Sequence, residues 1–294
     1  MSCVMSDSSA RFAVCPVCPH ACRIEEGKTG RCRARGTKNG RVVPLNYGFA
    51  TSLALDPIEK KPLKRFYPGS SILSLGSYGC NLNCPFCQNW EISMSDGHEF
   101  RRDRNEEENL ISPEALTDLA LQLVGRGNIG VAFTYNEPLI AWEFVRDSAE
   151  LLRERNLKVV LVTNGCVNGE IADAVLPLVD ALNIDLKSFR KETYRKTLGG
   201  DLETVKRFIT KAAEQCHVEL TSLIVPGMND SEEEMQAMTD WICSLPHGED
   251  IPLHITRFFP RYRMLNAEPT DRSVIIRLAD LASRQLKYVY PGNL

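Results

Sequence analysis

The chain has 294 residues, 43% of them hydrophobic, and a formal net charge of −3. That length suits one large domain, or a barrel with a small appendage, and the charge excludes a sequence-wide pull toward nucleic acid. No apolar run approaches the roughly 20 residues of a membrane span, and Met1–Ser9 lacks the basic segment and apolar core of a secretory signal. Eleven cysteines without such a signal favour metal ligation over disulfides, in a reducing cytoplasm.

Residues 1–11 are expected to form a disordered tail. Residues 12–68 are rich in Cys, Gly, Pro and Arg and carry no long periodic segment, so they read as a small, loop-rich module. Within it, Cys15, Cys18, Cys22 and Cys32 supply four thiols in 18 residues. A module this small can hardly bury enough apolar surface to fold alone, and a four-thiolate metal site would supply the missing stability. Zinc is the leading candidate and a second [4Fe–4S] cluster its rival. His20 is expected beside this ligand set, not in it. Cys166, Cys216 and Cys243 read as small buried hydrophobes, and Cys3 as a tail residue.

Residues 69–294 alternate strands with helices. Apolar runs predict strands at Ser71–Leu75, Ile129–Phe133, Lys158–Val162, Ala181–Asp185, Val218–Ile224 and Leu253–Thr256. Ser112 is an N-cap followed by Pro113, and Ser231 with Glu234 forms a capping box. Further helices are expected near 139–155, 169–178, 202–215 and 273–286. Arg101–Glu108 reads as a solvated charged loop. Six strands alternating with helices imply a parallel α/β sheet. In barrels of this kind the chemistry sits at the C-terminal ends of the strands.

Polar motifs follow those strands. After the first come Cys80, Cys84 and Cys87 in a C-x3-C-x2-C run, with Phe86 just before the third thiol. Three thiolates on so short a loop can ligate three irons of a [4Fe–4S] cluster and leave the fourth open to a small molecule. An open iron beside a one-electron donor suits reductive cleavage of S-adenosylmethionine (SAM). Gly76 and Gly79 give the backbone freedom to turn there. After the second strand come Thr134–Pro138, which also read as a helix N-terminus with Asn136 as cap. Thr163-Asn164-Gly165 follows the third strand and is also a common turn. Asp185 and Lys187 end the fourth, where Lys187 either pairs with a SAM carboxylate or forms a structural ion pair with Asp185. His254 and Arg257 are expected near the barrel mouth.

The cysteine octapeptide Cys80–Cys87 resembles the cluster loop of radical SAM enzymes. That resemblance implies a partial (β/α)6 TIM-like barrel, a [4Fe–4S] cluster on Cys80, Cys84 and Cys87, and SAM oriented by Glu137, Asn164, Asp185, Lys187 and His254. The Asp185-Leu186-Lys187 element, Thr163-Asn164-Gly165 and His254 resemble the pyruvate formate-lyase activating enzyme branch. Cys15–Cys22, Glu26–Cys32, Asp56–Leu63, Phe66–Gly69, Cys87–Trp90 and Thr134–Pro138 together are similar to the radical SAM component of the AmmeMemoRadiSam system. This implies an oxidoreductase with an electron donor such as flavodoxin or ferredoxin, and Memo-like and AMMECR-like partners. Rival readings are a glycyl-radical-enzyme activase, a non-catalytic iron–sulfur redox protein, and an assembly factor.

Overall fold

A computed structural model describes residues 12–98, 100 and 109–294. The expected tail, Cys3 and the charged loop Arg101–Glu108 lie outside the described residues. The core is one eight-stranded sheet: β5 (Ser52–Pro57), β6 (Ser71–Gly76), β7 (Asn128–Phe133), β8 (Lys158–Thr163), β9 (Ala181–Asp185), β10 (His217–Ile224), β11 (Leu253–Arg257) and β12 (Val289–Gly292). They lie side by side in sequence order, with β5 and β12 at opposite edges. β6 to β12 are all parallel, and β5 joins β6 antiparallel. The six strands expected from sequence are β6 to β11, each within a residue or two of its predicted bounds; β5 and β12 extend the sheet at its edges.

Side-chain alternation sorts the sheet into two faces. Leu73, Leu75, Val131, Phe133, Val159 and Leu161 pack outward into the main core with the helices. These are α1 (Pro113–Gln122), α2 (Trp142–Glu154), α3 (Gly169–Val175), α4 (Leu202–Ala213), α5 (Glu232–Cys243) and α6 (Arg272–Ala282). Ile72, Ala132, Val160 and Ala181 face the other way, onto Ile58, Leu63 and Phe66. The segment 58–66 therefore plugs the concave face, and Asn183 Nδ2 donates to the Pro62 carbonyl at 2.9 Å to hold it there. The cysteine-rich stretch reaches the sheet through this plug and through β5. Its first part carries two hairpins, β1 (Phe12–Val14) with β2 (Arg23–Glu25) and β3 (Arg35–Lys38) with β4 (Arg41–Pro44).

The helix caps follow their sequence signals in part. Ser112 accepts from the Ala115 N–H at the start of α1, and Ser231 from the Glu234 N–H at the start of α5. Glu234 does not return the bond to Ser231. Its carboxylate accepts from Ser188 Oγ at 2.6 Å and the Phe189 N–H at 2.7 Å, tying α5 to the loop after β9. Glu137, not Asn136, caps the turn Pro138–Ala141 that leads into α2, by accepting from the Leu139 N–H.

Candidate active site

The loop leaving β6 carries Cys80, Cys84 and Cys87, with Cys84 buried and the other two half-buried. Neighbouring elements hold its backbone at almost every step. Asn136 Oδ1 accepts from the Ser77 N–H at 3.0 Å, and its Nδ2 donates to the Gly79 carbonyl at 3.0 Å. The Cys80 N–H donates to the Cys32 carbonyl at 3.2 Å, and the Asn83 N–H to the Leu198 carbonyl at 2.8 Å. Gly79 has φ +85°, and a Cβ there would stand 2.5 Å from the Cys32 carbonyl oxygen, so both conformation and space require glycine. Burial, reinforced by Glu137 and the Cys84 and Cys87 thiols, pushes the Cys80 thiol well up. Burial also raises Cys84, to about 11, although Lys187 opposes it. Thiolates, the ligating form, therefore need a cation in place here. Among the described residues no three His, Cys, Asp or Glu side chains converge on a single metal ion.

The ends of β7, β8 and β9 meet this loop. Glu137 is buried, and burial lifts its carboxyl to about 7 against the hydrogen bonds that favour its charge. Its oxygens accept from Thr163 Oγ1 at 2.7 Å, the Asn164 N–H at 2.7 Å and the Leu139 N–H at 3.0 Å. Asn164 then reaches the cysteine loop. Its Nδ2 donates to Asn81 Oδ1 at 2.9 Å and lies 3.7 Å from Cys80 Sγ. Lys187 and Asp185 pair at 2.8 Å. Burial opposes the charge on Lys187, but Asp185 and Cys84 outweigh it and hold its pKa above the ordinary value. The structure thus gathers Cys80, Cys84, Cys87, Glu137, Asn164, Asp185 and Lys187 at the C-terminal end of the parallel strands.

His254 is placed differently. It is the second residue of β11, not its end, and its Nε2 lies 2.6 Å from Glu219 Oε2. Glu219 in turn accepts from the Lys64 and Arg65 N–H groups of the plug. His254 is therefore engaged with the plug side of the barrel.

Residues 75–242 match the family described as the Radical SAM superfamily. The chain belongs to the radical SAM superfamily. An uncharacterized protein of Methanocaldococcus jannaschii is 38% identical over 285 residues, 95% of this chain and 81% of its own length. The pyruvate formate-lyase-activating enzyme of Clostridium pasteurianum is 25% identical over 204 residues, covering 67% of this chain and 80% of that protein. Among solved structures, Streptococcus suis SuiB bound to S-adenosylmethionine superposes with a TM-score of 0.55 at 13% identity, over 75% of this chain and 51% of that one. That likeness concerns the fold, a partial radical SAM barrel.

Radical SAM cofactors are a [4Fe–4S] cluster and SAM, and the donor set fits them. Three thiols on one loop leave one iron of a cubane for a small-molecule ligand. On the same loop, the buried Ser77 Oγ and Asn83 Oδ1 lack hydrogen-bond partners among the described residues, which is where a polar cofactor would be satisfied.

Sequence reasoning missed three further groups of this radical SAM barrel. Asn81 and Asn136 tie the cysteine loop to its neighbours; both lie inside the motifs, but Asn136 was expected only as a helix cap and Asn81 had no role assigned. The third is a partly buried network around Asp56. Lys61 Nζ donates to Asp56 Oδ2 at 2.7 Å, and Tyr135 Oη donates to the same oxygen at 2.6 Å. Tyr135 has φ +72°, a costly conformation for a non-glycine residue that its surroundings must enforce. Asp56 and Lys61 were visible only within the Asp56–Leu63 motif, with nothing to show that they face Tyr135.

Proposed function

We propose that this chain is the radical SAM oxidoreductase of an AmmeMemoRadiSam system, acting by hydrogen abstraction. The observation that carries the chemical part is one loop of three thiols at the C-terminal end of the parallel strands, with Lys187 beside Cys84. When bound, a [4Fe–4S] cluster on Cys80, Cys84 and Cys87 would supply the one electron that cleaves a C–S bond of SAM, giving methionine and a 5′-deoxyadenosyl radical. The protein's own residues position and exclude water. Asn164 holds Asn81 and the Cys80 side of the loop, Glu137 holds Asn164, and Lys187 with Asp185 would offer a charged pair to the SAM carboxylate and amino groups. His254 holds Glu219, which anchors the plug.

The system assignment rests on the motifs from Cys15 to Pro138, and it implies Memo-like and AMMECR-like partners in the cytoplasm. Flavodoxin or ferredoxin is the electron donor by analogy with activating enzymes. A second reading, activation of a glycyl-radical enzyme, is favoured by the similarity to the activating enzyme of Clostridium pasteurianum; the fold itself does not choose between them.

Anaerobically reconstituted, dithionite-reduced protein is expected to form 5′-deoxyadenosine from SAM. Cys84→Ala should lose both the broad visible absorbance of the cluster and this product, because a lost thiolate strips an iron of its ligand. Full iron content and turnover in Cys84→Ala would defeat the assignment. Product release in the presence of a glycyl-radical enzyme, with appearance of its glycyl radical signal, would select the activase reading.

A further inference from the structure

The N-terminal thiols Cys15, Cys18, Cys22 and Cys32 line one cavity with His20. As arranged they do not fit one metal ion, because no three of the described His, Cys, Asp or Glu side chains converge on one. Another group of residues borders the radical loop. Three residues beyond Cys87, Trp90 opens a short helical turn and is 40% exposed. Its ring stacks on Tyr262, from the segment after β11, with centroids 5.2 Å apart and planes inclined by 13°. The Arg263 N–H donates to the Pro85 carbonyl at 3.0 Å, so this segment meets the loop at the residue next to Cys84. Tyr262 takes φ +51°, a strain that its surroundings must hold. Four strands separate β6 from β11 in the sheet, so these contacts span the mouth of the barrel.

The stack accounts for the two rings as a brace, but not for the charge around them. Residues 251–267 contain Arg257, Arg261 and Arg263 and no Asp or Glu, and Glu91 is the single carboxylate of residues 85–94. Arg257 turns back and donates to the Thr270 carbonyl. Arg261 and Arg263 are exposed, and among the described residues neither pairs with a carboxylate. The Arg263 guanidinium lies 5.0 Å from the centre of the Tyr262 ring. Phe259 and Leu265, on the same segment, are 46% and 69% exposed. A chain of net charge −3 thus shows a local positive, aromatic surface beside its cysteine loop. Trp, Tyr, Phe and Arg are the residue types enriched in protein interfaces and their hot spots.

We infer that Trp90, Tyr262, Arg261 and Arg263 form the docking surface for an acidic one-electron carrier protein. The inference rests on the radical reading of the Cys80–Cys87 loop and adds where the electron enters. Each reductive cleavage of SAM consumes one electron. The carrier is oxidised by one electron and the group held by Cys80, Cys84 and Cys87 is reduced by one, with no bond made and no proton moved at the surface. A carrier on this surface stands one residue from Cys84 through the Pro85 link, and three from Cys87 along the chain. Opposite charge on the two partners steers the encounter and speeds it, as a transient redox pair requires.

Binding is read first, without turnover. Calorimetric titration of the reconstituted chain with flavodoxin and, separately, with ferredoxin should show a single site for at least one of them. That affinity should fall between about 10 and 150 mM salt, as the Debye length contracts from about 30 to 8 Å. Arg261→Glu/Arg263→Glu should weaken it at least ~10-fold at low salt, whereas Arg261→Lys/Arg263→Lys should largely keep it. Turnover is then split by reductant. With dithionite the Glu variant should form 5′-deoxyadenosine at the parent rate; with the reduced carrier it should lose most of that rate. Unaltered carrier binding and carrier-driven rate in the Glu variant would overturn the inference, as would a parent chain that binds neither carrier. Equal loss of both rates would also overturn it, making the arginines supports of the loop. A change in oligomeric state with carrier binding intact would assign the surface to a second copy of the chain, against the inference. Failure of the parent to cleave SAM with dithionite would instead defeat the radical reading, and the binding titrations would still decide the surface.

Discussion

Glu137 and Lys187 are both charged groups at the ends of neighbouring strands, and their hydrogen bonds give them different work. Glu137 satisfies three buried donors, so Glu137→Ala would leave each without a partner, at about 1–3 kcal/mol apiece before relaxation. It should lower the melting temperature sharply. Among the described residues the Lys187 side chain pairs with Asp185 alone, and it faces Cys84. Lys187→Ala should keep its cluster and its fold but weaken SAM binding about 10- to 150-fold, the equivalent of one charge-assisted hydrogen bond of roughly 1.5–3 kcal/mol. Melting curves and SAM titrations of the two variants check the division; a Glu137→Ala protein that melts like the parent but no longer binds SAM would make Glu137 a ligand contact. The sequence placed both residues after strands. It could not reveal that Glu137 is saturated, because two of its donors come from Thr163 and Asn164, on the next strand's loop.

The strands legible in sequence are those whose two faces are both buried, since they run almost unbroken in apolar residues. β5 and β12 were not legible for the same physical reason. Both are edge strands, both contain proline (Pro57 and Pro291), and neither is fully covered. His254 was misjudged by position within its strand, a matter of two or three residues that decides between barrel mouth and plug. The interior ladder also contains a close approach that only structure exposes. Gly130 pairs with Lys158 across β7 and β8, and a Cβ there would overlap the Lys158 carbonyl oxygen and amide nitrogen. Both obstacles are backbone in a central pair of strands, so neither can swing aside. Gly130→Ala should therefore cost at least ~2 kcal/mol, read as a fall of about 4 °C or more in melting temperature. An unchanged melting temperature would show that β7 and β8 separate more easily than their register suggests.

At the scale of the whole molecule, Glu219 joins the barrel wall to the plug. It stands on β10 with no exposed surface, between His217 and His254, and receives the Lys64 and Arg65 N–H groups at 2.9 and 2.7 Å. Burial alone would raise its pKa, but the hydrogen bonds from the two histidines and the two amides outweigh it and hold the carboxyl at about 2, below its ordinary 4.5. A carboxyl depressed on folding contributes stability that is fully present above pH 4.5 and is lost as pH falls toward 2. The size of that contribution is on the order of 2–3 kcal/mol. Asp56, held at about 2 because hydrogen bonds from Lys61 and Tyr135 overcome its burial, acts in the same direction, its share being lost as pH falls from its ordinary 3.8 toward 2. Acid should therefore loosen the plug from inside the barrel. Glu219→Gln keeps the shape and removes the titration, so the variant should be less stable than the parent at pH 7, and the gap in urea midpoint should close as the pH approaches 2. A gap of equal size at pH 7 and pH 3 would mean that the Glu219 charge is not what anchors the plug. The same experiment bears on the active site, because the plug carries Lys61, which shares Asp56 with Tyr135 just beyond β7. Release of the plug should free the Tyr135 backbone from its left-handed conformation and carry the loss to the mouth of the barrel.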